Sequence, residues 1–172
     1  NDTVKINVAR VFEVAFHDMM DAEPSPSTAL LMGYFQKHLS VAVDVAARGA
    51  NLHIDRAHEV QPELMLNLMT HGSVENGLDV SQCAELFTVG VDGAGLAVAA
   101  DSFAAIEQRV EREGLLAWEA VHEALHADFA GIGGERMRQM LASSERYCQG
   151  ASLGDKWARA ITDVFVDLVH NF

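Results

Sequence analysis

The sequence predicts a mainly α-helical fold with one or two short strands, and three observations carry that expectation. Apolar residues recur every three or four positions over most of the 172 residues, the spacing of amphipathic helices. Residues that break helices gather in a few stretches between those runs. One segment, Phe87 to Ala100, departs from the helical pattern and is punctuated by glycines.

From Val4 to Met20, the positions Ile6, Val8, Val11, Phe12, Ala15, Phe16 and Met19 predict a first helix. It ends before Glu23-Pro24-Ser25-Pro26-Ser27, where two prolines remove backbone donors and restrict the residues preceding them. A long helical run follows from about Thr28 to His58, as one helix or as two with a break near Gly49. Its inward positions are Leu31, Phe35, Leu39, Val43 and Ala46. Pro62 suits the first turn of a third helix through Leu64, Leu66, Leu68 and Met69, and Gly72 and Gly77 loosen the region beyond it.

Gly90, Gly93 and Gly95 are followed by Leu96-Ala97-Val98-Ala99-Ala100, which leaves a short buried strand and a tight helix-packing turn as open readings. Asp101 and Ser102 are natural N-cap types for a helix beginning after them. That helix carries Phe103, Ile106 and Val110 inward and stops at Gly114. Trp118 to Phe129 forms the next, ended by Gly131-Ile132-Gly133-Gly134. Arg136 to Leu141 is a short helix and Tyr147 to Gly154 a loop. Trp157, Ile161, Val164, Phe165, Leu168 and Val169 mark a final amphipathic helix. There is no internal repeat and no low-complexity tract.

Apolar residues make up 49% of the chain and charged residues 22%, a globular composition with enough length for one hydrophobic core. No run approaches the ~18 apolar residues of a membrane helix. The formal charge of −13 repels phosphate backbones and anionic head groups, which argues against nucleic acid and membrane surfaces as partners. Two cysteines, Cys83 and Cys148, are too few for a disulfide framework and fit a reducing, cytoplasmic interior, with one disulfide left open. The segment Asn1 to Lys5 carries neither a start methionine nor a signal pattern, so the chain is read as processed or cut from something longer.

His122-Glu123-Ala124-Leu125-His126 matches H-E-x-x-H on a helix. That spacing places both imidazoles on one face, with the glutamate available as general base on a zinc-bound water. A third ligand is still required; Glu135 lies nine residues on, and the extended metzincin pattern is absent because Phe129 and Ile132 stand where glycine and histidine belong. The competing reading is an amphipathic helix with Val121, Leu125 and Phe129 inward and two histidines near its surface, and eight histidines in the chain make a chance match less surprising. A second group, His53, Asp55, His58 and Glu59, does not share a helix face and reads as a solvated helix end. Asp92 beside Gly93 is a candidate ligand contact, with a turn aspartate as the commoner reading. Cys83 has no basic neighbour in sequence to generate a thiolate and reads as unreactive.

From Gly90 to Ile106 the chain resembles the segment that glycyl radical enzymes write as G-V-x-G-V/A-G-L/I-A-x-x-A-D-S-L-A-A-I. Upstream, Gly72-Ser73-Val74-Glu75-Asn76-Gly77-Leu78-Asp79 is similar to their G-C-I-E-x-G-x-D. Downstream, Leu116-Ala117-Trp118-Glu119-Ala120 and Ala124-Leu125-His126-Ala127-Asp128-Phe129-Ala130-Gly131 resemble L-S/T-W-E-E-L and A-L-x-A-N-F-x-G. Arg146-Tyr147-Cys148 stands where the family has a K/R-Y-G turn. These motifs occur in the family's order and spacing, most securely from Leu64 to Val169.

The resemblance implies that residues 1–172 are a single segment of the family's ten-stranded α/β barrel, within a formate acyltransferase, dehydratase or C–X lyase of the cytoplasm of anaerobes. In that family a glycyl radical installed by a radical S-adenosylmethionine activase oxidises a cysteine, whose thiyl radical acts on a small substrate. The thiyl cysteine loop belongs before Asn1 and the R-V-x-G-Y/F radical motif beyond Phe172, so the resemblance implies a chain inactive alone, with no catalytic residue and no bound cofactor. Its implied partners are the rest of the parent enzyme, the activase and further copies. Phe87 and Asp92 are the implied pocket-lining residues. Cys83-Ala84-Glu85-Leu86-Phe87-Thr88 replaces the family's G-G-A-x-Y-N, which removes the tyrosine hydroxyl at Phe87, and Ser73 replaces the cysteine of G-C-I-E. The family carries no metal at the helix holding His122, Glu123 and His126, so the resemblance makes H-E-x-x-H a coincidence. A zinc hydrolase using these three residues and a non-catalytic helical interaction module remain the alternatives.

Overall fold

The computed structural model describes residues 3–86 and 88–171. It is mainly helical, with two short strands. In order the elements are β1 (Thr3–Asn7), α1 (Val8–Ala22), α2 (Thr28–Val60), α3 (Leu64–Met69), α4 (Ser73–Asn76), α5 (Val80–Cys83), β2 (Gly90–Ala94), α6 (Leu96–Ile106) with a π-helical turn Glu107–Arg112, α7 (Trp118–His126), α8 (Gly134–Ala142) and α9 (Leu153–His170). β1 and β2 pair in a two-stranded sheet. Among the described residues, no helix is long and apolar enough to cross a membrane.

The first helix starts at Val8, four residues later than its periodicity predicts. The β-branched residues Val4 and Ile6 lie in β1 instead, where a pleated ladder suits them. Asn7 ends the strand and caps the helix, its side-chain oxygen accepting from the Arg10 amide at 3.0 Å. α2 runs unbroken through Gly49; one glycine in a helix interior costs about 1 kcal/mol relative to alanine, too little to break 33 residues.

The chain falls into two compact units, Asn1–Ile6 with Val43–Asp92, and Asn7–Ala42 with Gly93–Phe172. The second holds an aromatic core centred on Phe103. Its ring meets Phe12 edge-on at 4.9 Å and Phe35 edge-on at 5.5 Å, and stacks on Trp157 at 4.6 Å. The Trp157 Nε1–H donates to the buried Glu107 carboxylate at 2.6 Å, which also pairs with Arg112 and lies 3.4 Å from Lys156. Burial alone would raise the Glu107 carboxyl, but the hydrogen bonds from Arg112 and Trp157 and the Lys156 charge outweigh it and hold it below its ordinary value. Glu111, on the same π-helical turn, accepts from the amide and hydroxyl of Thr28, both at 2.6 Å, and so caps α2 from a distance.

Asp101 and Ser102 do not cap a helix. α6 begins at Leu96, and its cap is Gly95 at φ +85, where a Cβ would stand 3.1 Å from that of Ala9. Starting there lets Ala99, Ala100, Phe103 and Ala104 face inward on one helix. Ser102 bonds back to the Val98 carbonyl, while Asp101 reaches the final loop, accepting from the Tyr147 amide at 2.7 Å and pairing with Arg146 at 2.9 Å. Of the two open readings of this stretch, a strand forms at Gly90–Ala94, half-buried to exposed, and Leu96 to Ala100 is helical.

α7 stops at His126, short of the expected Phe129, because Asp128 and Phe129 turn to positive φ. α8 outlasts its predicted span at both ends, and Arg109 closes it by donating to the carbonyls of Met140 and Ser143. α9 takes in Leu153 and Gly154, expected in the loop, because Ser152 and Asp155 form a capping box. The turn of chain before α9 passes so close that a Cβ on Gly154 would stand 2.2 Å from the Tyr147 nitrogen.

The first unit is organised differently. Asp79 caps α5 and gathers the neighbouring turns: Oδ1 accepts from the Ser81 amide and hydroxyl, and Oδ2 from Asn67 Nδ2 at 2.7 Å and the Glu63 amide at 3.2 Å. Asn67 returns the contact through the Val80 amide at 2.7 Å. Pro62 stands just outside α3, whose cap is Glu63. Gly72 and Gly77 bracket α4 as its two caps rather than loosening the region.

Candidate functional site

The one group of side chains in the described residues with a metal-binding arrangement is His17, His122 and His126. Amphipathic α1 buries Phe16 and leaves its neighbour His17 at the edge of the core; α7 buries Val121 and leaves His122 beside it in the same way. The i, i+4 spacing then sets His126 one turn beyond His122 on the same face. The ring centroids lie 5.0 Å (His17–His122), 4.3 Å (His17–His126) and 4.7 Å (His122–His126) apart. One ring nitrogen from each falls within 4.8 Å of the other two. Phe16 adjoins the group, stacked with Trp118 at 6.1 Å and meeting His122 edge-on at 6.0 Å.

Nδ1 of His17 and Nε2 of His122 are buried without a hydrogen-bond partner, a state that His58 Nδ1 on α2 shares without converging partners among the described residues. Burial lowers the His17 pKa, the proximity of His126 and His122 lowers it further, and Glu13 and Asp21 oppose the shift. His17 is therefore held towards its neutral, metal-accepting form.

The sequence motif supplied two of these three residues. Glu123, its presumed general base, is exposed and stands outside the group. Glu135, the third ligand weighed from the sequence, is taken by Arg138 at 2.7 Å and Gln139 at 2.8 Å, which hold its carboxyl down to about 2. His17 carried no signal, since its partners lie on another helix far along the chain.

The other singled-out residues do not converge. Phe87 lies outside the described residues. Asp92 sits exposed on β2. His53, Asp55, His58 and Glu59 lie on α2, where Arg56 pairs with Glu59 at 2.9 Å and His58 lies 3.8 Å from it; they form no metal-capable group among the described residues. Cys83, half-buried, and Cys148, exposed, are both free thiols. The Cys83 sulfur lies 3.0 Å from the hydroxyl of Ser73, the residue that replaces the cysteine of the G-C-I-E run.

The structure also explains that run. Glu75 accepts from the Gly72 amide at 2.9 Å and Asp79 caps the following helix, so Gly72, Glu75, Gly77 and Asp79 are the parts of two consecutive helix caps. In the other unit an apolar cavity of about 290 Å³ opens among Phe12, Val121, Leu125 and Phe129, with Arg138 and Arg146 among its polar lining.

The fold so assembled is that of glycyl radical enzymes. It matches the structure of a glycyl radical enzyme from Archaeoglobus fulgidus with a TM-score of 0.79 at 24% identity, over 96% of this chain and 22% of that one. It matches the glycerol-bound B12-independent glycerol dehydratase from Clostridium butyricum with a TM-score of 0.82 at 20% identity, over 98% and 23%. A structure describing 1,2-propanediol dehydration in Roseburia inulinivorans gives 0.77 at 18%, over 98% and 23%. The chain thus spans less than a quarter of the length of these solved structures. The pyruvate formate lyase-like family matches residues 1–172, and the chain belongs to that family. The kinship read from ordered motifs is borne out.

Proposed function

We propose that this chain is one segment of the ten-stranded α/β barrel of a larger glycyl radical enzyme, which acts on a small molecule by thiyl-radical chemistry as a dehydratase, C–X lyase or formate acyltransferase. The observation that carries the reading is the family match along all 172 residues of a chain spanning only 22–23% of its solved relatives. Within the parent, this segment supplies barrel wall and outer helices. The radical glycine comes from elsewhere in the protein, because none of the 13 glycines here sits in the R-V-x-G-Y/F motif, and the family resemblance puts the thiyl cysteine loop in another segment.

The surface supports the same reading. Leu64, Met65, Leu68 and Met69 on α3 are each more than two-thirds exposed, and so is Leu86. Apolar exposure on this scale marks surface that another part of a protein covers. Phe87 and Asp92 are the segment's contribution to the substrate pocket, and a phenylalanine in place of tyrosine removes a hydrogen bond to substrate there. The proposed partners are the remainder of the barrel, further copies of the enzyme and a radical S-adenosylmethionine activase, in the cytoplasm of an anaerobe.

The test is activation. Incubated without oxygen with S-adenosylmethionine and its activase, the parent protein is expected to give the electron paramagnetic resonance doublet of a glycyl radical, and Asp92→Ala to raise KM. Absence of any radical signal with an activase proven on another substrate enzyme defeats the proposal and favours a helical interaction module without chemistry. A zinc hydrolase using His122, Glu123 and His126 is the weaker alternative, because the family match takes in the whole chain, the helix that carries this motif included.

A further inference from the structure

We infer that His17, His122 and His126 bind one divalent transition-metal ion, of the zinc, copper or nickel class, which clasps α1 to α7. The inference is independent of the radical reading. Three imidazoles offer neutral nitrogen lone pairs, the donor set that borderline metals prefer and that magnesium and calcium do not. Nitrogens bound to tetrahedral zinc at 2.0–2.1 Å stand about 3.3 Å apart. The three nitrogens already lie within 4.8 Å of one another, so side-chain rotations of about an ångström close the site.

Two further observations point to a cation. The His17 Nδ1 and His122 Nε2 atoms are buried and unpartnered, and a metal ion is what such lone pairs lack. The electrostatic surroundings are also negative. His126 is the last residue of α7, where the carbonyl end of the helix favours positive charge. Glu13 and Asp21, one turn to either side of His17 on α1, act on it electrostatically as negative charges. Three protein ligands leave a further coordination position for water or an exogenous donor. A bound cation gains from each part of that field.

The experiment is calorimetric titration of zinc into the metal-stripped full-length protein. We expect a zinc equivalent whose affinity falls by more than about 100-fold in His17→Ala and in His122→Ala, above the range of about 10–100-fold for losing an outer-shell partner. His58→Ala on α2 is expected to leave that equivalent unchanged, and excess magnesium or calcium not to displace it. Cobalt substitution of the wild-type protein needs no variant and guards against misfolding: intense visible d–d bands of a nitrogen-ligated, low-coordinate ion are expected. Zinc affinity undiminished in His17→Ala overturns the inference, as does a wild-type cobalt spectrum indistinguishable from that of the hydrated ion.

Discussion

The two units of this chain hold themselves together by different forces. Residues Asn7–Ala42 with Gly93–Phe172 bury Phe16, Met19, Leu31, Phe35, Leu39 and Phe103 completely. Residues Asn1–Ile6 with Val43–Asp92 contribute only Ile6 and Val43 to the buried apolar side chains of the described residues, and leave α3 largely exposed. What organises that unit is polar: one carboxylate, Asp79, joins Glu63, Asn67 and Ser81. Apolar burial contributes about 25 cal/mol per Å², whereas a net hydrogen bond contributes only about 1 kcal/mol. The aromatic unit is therefore the stable part of the chain, and the Asp79 unit is shaped locally and opens first.

The sharpest way to break this comparison is Phe103→Ala. Removing the ring that touches Phe12, Phe35 and Trp157 is expected to cost about 3–5 kcal/mol in urea unfolding. Met65→Ala on exposed α3 should stay within about 0.5 kcal/mol. Similar losses from the two would mean that the units share one core.

A smaller effect is expected at Glu107, the polar element inside the aromatic unit. Glu107→Ala strands the buried Trp157 Nε1–H and is expected to cost about 1–3 kcal/mol, read as a lowered urea midpoint. The mildest effect is local and depends on pH. Hydrogen bonds from Asn67 and from the Ser81 amide and hydroxyl hold the Asp79 carboxyl down to about 2. A depressed carboxyl stabilises the fold above its unfolded value, near 3.9, and that contribution disappears as the pH falls through about 2. Amide-exchange protection of residues 63–83 should therefore decline between pH 4 and 2 in the wild type, with little change in the aromatic unit. In Asp79→Asn it should be low and flat across that range.

Much of the fold was legible because helix faces are written at fixed spacing. Val8, Val11, Phe12, Ala15, Phe16 and Met19 on α1, and Trp157 and Ile161 on α9, are buried as their periodicity predicts. Boundaries were less legible, since a cap depends on the backbone and not on residue type alone. Asp101 and Ser102 have the chemistry of caps, yet packing of Ala99, Ala100 and Phe103 carries the helix back to Gly95 and leaves both in its interior. Val4 and Ile6 continue the helical rhythm of α1 but pair with β2 instead, a contact that nothing local encodes.

The sequence by itself determined the family, through motifs in a shared order, and the i, i+4 placement of His122 and His126. Local backbone geometry alone produces that placement once α7 forms. Only the tertiary structure decided the rest of the histidine group. It set α1 against α7 so that His17 meets both rings, and it left Glu123 and Glu135 out. Packing of apolar faces chooses which helices meet, and the residues beside those faces, remote in sequence, are brought together by that choice.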